Sequence, residues 1–290
     1  MNPDPLQGEQ WGDGGRCSPS RWREFTTPCH AADVDPPRLR ARRAEGWVDT
    51  FEREHMRKAF HEELDRVTEG LVEMTRLASS AMSRATTALL DADVQLAESV
   101  IGADTEIDAL REELDLLSFD LLALQQPVAT DLRMVVTSMR MSADIERMGD
   151  LARHVAKVAR LRYPNSAVPA ELRSIILEMG QVAERIVTKA GSVIAARDVE
   201  AAKQIERDDD AMDDLHRRLF ERLASDSWNQ PVETTVDITL VGRYYERFGD
   251  HAVSVARRVV FLVTGEQNPD SESSHEDDED ASALPSEPQA

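Results

Sequence analysis

The sequence predicts an all-α protein built as two duplicated antiparallel three-helix bundles, six long helices in all. Apolar residues recur at alternating steps of three and four through six successive stretches, the spacing of a packed helix face. The last three stretches repeat the first three. Glu146-Arg147-Met148-Gly149-Asp150 returns as Glu246-Arg247-Phe248-Gly249-Asp250. A shift of 105 residues carries Asp93-Val94 to Asp198-Val199, Asp104 to Asp209, Asp108 to Asp213 and Leu114 to Leu219. A shift of 100 carries Glu146 and Asp150 to Glu246 and Asp250, the change of offset being absorbed around the second turn and the shorter last helix.

Residues 1–55 hold three of the four tryptophans, both cysteines, Gly14-Gly15 and Pro36-Pro37 without sustained periodicity, and are read as a disordered or non-native leader. Met56, directly before the ordered pattern, is the candidate natural start. The first helix then carries Phe60, Leu64, Val67, Leu71, Met74, Ala78, Ala81, Ala85 and Ala88 inward and ends near Asp91-Ala92-Asp93. The second carries Val100, Ala103, Ile107, Leu110, Leu114, Leu117, Leu121 and Leu124, with Asp104 and Asp108 at the edge of that stripe. The third runs from about residue 129 to 162, with Leu132, Val136, Met139, Ala143, Ala152, Val155 and Ala159 inward and Glu146 and Asp150 near the angular position of Met139. Tyr163-Pro164-Asn165 closes it, and a second triplet follows over about 169–196, 199–226 and 232–264. The expected domains are residues 56–164 and 165–265, followed by a disordered acidic tail over 266–290 that is too polar to bury a core.

The duplicated motif brings acids together. Residues four apart share a helix face with Cβ atoms roughly 6 Å apart, and like charges there cost roughly 0.2–0.5 kcal/mol per pair, so a cation is wanted nearby. Glu146 with Asp150 and Glu246 with Asp250 are such pairs; Asp104 with Asp108 and Asp209 with Asp213 are two more on the preceding helices. In an antiparallel hairpin, residues equidistant from the turn come level. The midpoints of 108 with 146 and of 104 with 150 both fall on Pro127; those of 213 with 246 and of 209 with 250 fall between Asn229 and Gln230, just before Pro231. Proline breaks helices, so both are turn positions. Each hairpin therefore gathers four carboxylates: Asp104, Asp108, Glu146 and Asp150, then Asp209, Asp213, Glu246 and Asp250. Asp210 with Asp214 also form a four-spaced pair, which leaves two registers open in the second set.

Oxygen-only donors suit hard or borderline ions, namely iron, manganese, magnesium, calcium or zinc, and not copper. His154, one turn past Asp150, is a candidate nitrogen donor, with Ser254 in its place in the second repeat. The competing reading is ion pairing with Arg147, Arg153, Arg243, Arg247 and Arg257. Gly149 permits close approach of a neighbour, and Met134, Met139, Met141 and Met148 read as packing.

Several functional classes recede. A formal charge of −21 leaves no basic stripe for nucleic acid. The chain has no run of about 18 apolar residues to span a membrane and no signal-peptide pattern at its start, so a cytoplasmic place is expected. Cys17 and Cys29 provide no disulfide framework for the helices, and with His30 they lack zinc-finger spacing. There is no nucleophile set and no glycine-rich phosphate loop, so an enzyme is not expected. The rival from that class is a carboxylate-bridged di-metal enzyme, which would want Glu-x-x-His beside the acid pairs. A purely structural coiled-coil scaffold would want no acids on an inner face.

At these residues the chain resembles the PhoU family, accessory regulators of bacterial high-affinity phosphate uptake. The likeness covers about residues 56 to 265. It lies in the start Met56-Arg-x-Ala-Phe-His-x-x-Leu64, Pro127-x-Ala-x-Asp-Leu-Arg133, Asp144-Ile-Glu-Arg-x-Gly-Asp150 and Glu246-Arg-x-Gly-Asp-His-Ala252. The resemblance implies two three-helix bundles whose acidic motifs hold metal clusters, with the eight carboxylates above as ligands. It also implies an adaptor between the ATPase subunit of a phosphate transporter and a membrane sensor histidine kinase, restraining the phosphate-starvation response and reaching the membrane only through those partners. Self-association as a homodimer is expected of such long amphipathic helices.

Overall fold

A computed structural model describes residues 38–266, with side chains from residue 58 onward. The described residues form helices α1 (Arg38–Asp91), α2 (Val94–Gln125), α3 (Thr130–Arg162), α4 (Arg173–Ala196), α5 (Val199–Leu223) and α6 (Val232–Thr264), with a 3-10 turn at Ala170–Leu172 before α4. No strand occurs among them. The expected order and length of the helices hold, with one difference: α1 begins at Arg38, so Met56 lies inside a helix. Pro37 precedes it, and no proline interrupts Arg38-Leu39-Arg40-Ala41-Arg42-Arg43-Ala44, a run of strong helix formers. The rest of the leader and the tail beyond residue 266 lie outside the described residues.

The duplication extends to local chemistry. Asp93 caps α2 by accepting from the Leu96 amide at 3.0 Å, and Asp198 caps α5 by accepting from the Glu200 and Ala201 amides, each at 3.0 Å. The α2–α3 connection spans 126–129 around Pro127, and the α5–α6 connection spans 224–231. Both turns sit where the level carboxylates require them.

The two repeats share one core. Leu71, Met74 and Met82 of α1, Ile145 and Met148 of α3, Met179 and Ile186 of α4 and Tyr245 and Phe248 of α6 belong to a single buried cluster. Helices α3 and α6 pack directly on each other, and α4 lies against both α5 and α6. On the other side α1 meets α4 closely: a Cβ on Gly180 would come within 2.6 Å of Thr86, and one on Gly191 within 2.5 Å of Thr75. Only residues without side chains allow that approach.

The shared core also revises one detail of the expected packing. Leu132 and Val136 are exposed, whereas Met134, Val135, Ser138, Met141 and Ile145 are buried. Helix α3 packs against α2 and α6 together, and its buried face turns toward them, which leaves the side bearing Leu132 and Val136 exposed.

Candidate metal centre

The structure brings the acids of each hairpin level. Gly149 of α3 passes over Asp104 of α2, where a Cβ would lie 3.4 Å from Asp104 Oδ1 and 2.9 Å from Ile107 Cδ1. Gly249 of α6 passes over Asp209 of α5 in the same way, and a Cβ there would collide with Asp209 Oδ1. The glycine of each motif thus lets one helix backbone close over the carboxylate of its partner. Asp104 is buried; Glu146, Asp150, Asp209 and Glu246 are half-buried; Asp108, Asp213 and Asp250 are exposed. Asp209 faces α6, Asp208 turns to Lys189 of α4, and Asp214 pairs outward with Arg217 at 2.8 Å.

Arginines fill the first set. Arg153 joins Asp104 of α2, at 2.5 Å, to Asp150 of its own helix. Arg147 reaches Asp150 at 2.9 Å and Glu146 at 3.9 Å, and Arg111 reaches Glu146 at 3.2 Å. Asp104 Oδ2 and Glu146 Oε2 lie within ion-pair reach of these guanidinium groups yet outside hydrogen-bond alignment. We regard them as neutralised by charge and not by directed bonds. Burial pushes the Asp104 carboxyl up, and Arg153 opposes that push.

The second set is differently surrounded. Arg243 pairs with Glu246 at 2.5 Å. Asp209 Oδ1 is buried and hydrogen-bonded to nothing. Burial, then the negative charges of Asp213, Asp250, Glu246 and Asp210, push the Asp209 carboxyl up to about 7. Burial and Asp250 likewise raise Glu246, and burial with Asp250 and Asp210 raises Asp213.

His216 belongs to this neighbourhood, and the reading of the sequence passed over it. It follows Asp213 by one turn and lies level with Gly242 of α6, stacked edge-on to Phe220 with ring centres 4.8 Å apart. Its Nε2 is buried without a partner. Burial and then Arg243 lower its pKa, favouring the neutral ring that a metal ion needs. The available signal was Asp213-x-x-His216, an acid and an imidazole on one helix face. His154, the nitrogen donor proposed from sequence, instead packs on Tyr244 of α6 with ring centres 5.2 Å apart.

Among the described residues, no group of three or more His, Cys, Asp or Glu side chains is drawn close enough to hold an ion. The second set nevertheless fits a hard or borderline cation in its chemistry, because it offers a sealed carboxylate oxygen and an imidazole nitrogen that both lack partners. Closing on an ion requires its side chains to rotate inward between α5 and α6. In the first set Arg153 already lies between the acids of the two helices.

No described helix is long and apolar enough to cross a membrane. A PhoU domain matches residues 71–159 and 176–259. The chain is 52% identical over 210 residues to the phosphate-specific transport system accessory protein PhoU homolog 2 of Mycobacterium tuberculosis, covering 72% of this chain and 99% of that protein. It is 50% identical over 210 residues to PhoU homolog 1 of Mycobacterium leprae, covering 72% and 95%. Among solved structures it resembles the phosphate transport system regulatory protein PhoU from Streptococcus pneumoniae, with a TM-score of 0.65 at 25% identity over 72% of this chain and 99% of that one. PhoU from Pseudomonas aeruginosa gives a TM-score of 0.63 at 28% identity over 71% and 100%.

Proposed function

The chain belongs to the PhoU family, and from that premise we propose that it is a non-catalytic accessory regulator of phosphate uptake. In this reading it works on the cytoplasmic side as a homodimer. It contacts the ATPase subunit of a phosphate transporter and a membrane sensor histidine kinase, and it holds the starvation response down while phosphate is plentiful. The observation that carries the reading is the 52% identity to a phosphate-transport accessory protein over 99% of that protein's length, together with the domain match over residues 71–159 and 176–259, which takes in both acidic hairpins.

Metal uptake is part of the proposal. The candidate ligands are the eight carboxylates, and the arrangement in the structure favours Asp209, Asp213, Glu246 and Asp250. A bound cation would supply the positive charge that lets Asp209 remain ionised while buried. Gly249 lets α6 close over Asp209 of α5, so acids of both helices would share one ion once their side chains turn inward, with His216 as a nitrogen donor. Sharing an ion would tie those two helices together and stiffen the surface offered to a partner.

The test is genetic and quantitative. In the native host, deleting the gene should switch on a starvation-responsive reporter in phosphate-rich medium, and expressing the full chain should silence it. A deletion that leaves both reporter output and phosphate uptake at wild-type levels would refute the reading.

A further inference from the structure

We propose that the two carboxylate sets are not equivalent: the Arg153 guanidinium acts as the built-in cation of the first, and a metal ion is taken up by the second alone. This rests on the cation-binding reading of the acid motifs.

Position is the first argument. A bridging cation in a helical hairpin must join acids of opposite helices, and Arg153 already does so, spanning Asp104 on α2 and Asp150 on α3. Arg147 and Arg111 compensate the remaining Glu146. A guanidinium held by two carboxylates is a strong, charge-assisted arrangement that a metal ion would have to break before entering.

The duplication supplies the comparison. The shift of 100 that aligns the motifs places Val253 at the position of Arg153, and Val253 is buried in the apolar core. The shift of 105 places His216 at the position of Arg111. The second repeat thus carries a hydrocarbon and an imidazole where the first carries two arginines. Arg243, which pairs with Glu246, stands where the first repeat has Ala143, Arg247 repeats Arg147 beside Glu246, and Arg217 acts on Asp213, so those two acids keep counter-charges. Asp209, the counterpart of Asp104, does not: its buried Oδ1 has no hydrogen-bond partner, and the principal charges acting on it are all negative. A sealed carboxylate oxygen without a donor is costly to maintain and calls for a proton or a cation.

The test uses the full-length chain, stripped with chelator and reloaded separately with manganese(II), zinc(II) or iron(II). Metal per chain is measured by elemental analysis and affinity by calorimetry, with helicity checked for every variant. Asp250→Ala should weaken binding tenfold or more, and Asp150→Ala should leave content unchanged. Arg153→Val, which installs the residue of the second repeat, should add a second site. Equal loss from Asp150→Ala and Asp250→Ala would overturn the inference while the cation reading stood. No gain from a folded Arg153→Val would overturn the role given to that arginine. A wild-type chain that retains none of the three metals would end the cation reading and the inference together.

Discussion

The Tyr245 hydroxyl on α6 lies 2.6 Å from the Thr86 hydroxyl on α1, inside the core. Thr86 is already committed as donor to the Met82 carbonyl at 2.8 Å, so the phenol is the donor in this bond. Burial pushes the phenol pKa up, which keeps that proton in place. The bond ties the first helix of one repeat to the last helix of the other.

That direction makes the two partners unequal under mutation. Tyr245→Phe removes the donor and leaves Thr86 its carbonyl bond, costing about 1 kcal/mol. Thr86→Val strands a buried phenol and should cost more, about 2 kcal/mol. Urea unfolding of both variants checks the order; an equal or larger loss for Tyr245→Phe would show that the donor assignment is wrong.

Gly180 tests the same contact from the other side. Alanine in a helix gains about 1 kcal/mol over glycine, but a methyl here would lie 2.6 Å from Thr86 Cγ2 and 2.7 Å from Oγ1. Overpacking of that kind costs about 1–3 kcal/mol. Gly180→Ala should therefore lower the melting temperature, whereas Gly102→Ala on α2, with nothing within 4 Å, should raise it. A rise in both would mean that α1 and α4 are looser than their packing implies.

Between the repeats, Asp144 of α3 accepts from Arg258 Nε at 2.7 Å and from His251 Nδ1 at 3.2 Å, both on α6. Burial opposes the charge on Asp144, but bonds from His251 and Arg258 outweigh it and hold the carboxyl below its ordinary value. The native state therefore prefers the ionised form. The resulting stability is complete above the unfolded value of about 4 and is lost as pH falls through the lower folded value. Asp144→Asn should cost about 2 kcal/mol at pH 7, less than for a fully buried pair because Arg258 is partly solvated. The gap from wild type should narrow as pH falls below the ordinary carboxylate value, and urea midpoints at several pH values would reveal it. A gap that persists unchanged in acid would assign the loss to packing.

Much of this was legible in the sequence because helices convert spacing into geometry. The midpoints at Pro127 and beside Asn229 placed both turns by a local rule of chain and turn, and the offset of 105 matched Asp93 to Asp198, whose capping of α2 and α5 the structure adds. The acid pairs came level for the same reason. What escaped was whatever depends on a third helix. Periodicity put Leu132 and Val136 inward, but which side of α3 is covered depends on α2 and α6 together, and these two residues are left exposed. Arg153 was named as a general ion-pair partner, yet its bridge from Asp150 to Asp104 needs the α2–α3 contact. His216 escapes the Glu-x-x-His pattern because the acid one turn before it is Asp213.

Asp209 sets the last expectation, for protein freed of metal. Its carboxyl titrates near 7 in the folded chain, against an ordinary value of 3.8. Between those values the native state keeps a proton that the unfolded chain has released. This contribution to stability is complete below about pH 4 and is lost as pH rises through about 7. Asp209→Asn carries a neutral side chain at every pH. It should match wild type at pH 4 and exceed it at pH 8 by on the order of 2 kcal/mol, after allowance for partial solvent exposure. Asp104→Asn should give no such gain, because it leaves Arg153 without its partner across the helices. A metal ion competes with the same proton, so manganese should stabilise wild type at pH 8 far more than at pH 5 and should do little for Asp209→Asn. Thermal melts of chelated and manganese-loaded protein at the two pH values separate these effects. A chelated wild type that equals Asp209→Asn at pH 8 would mean that Asp209 finds a cationic partner in solution.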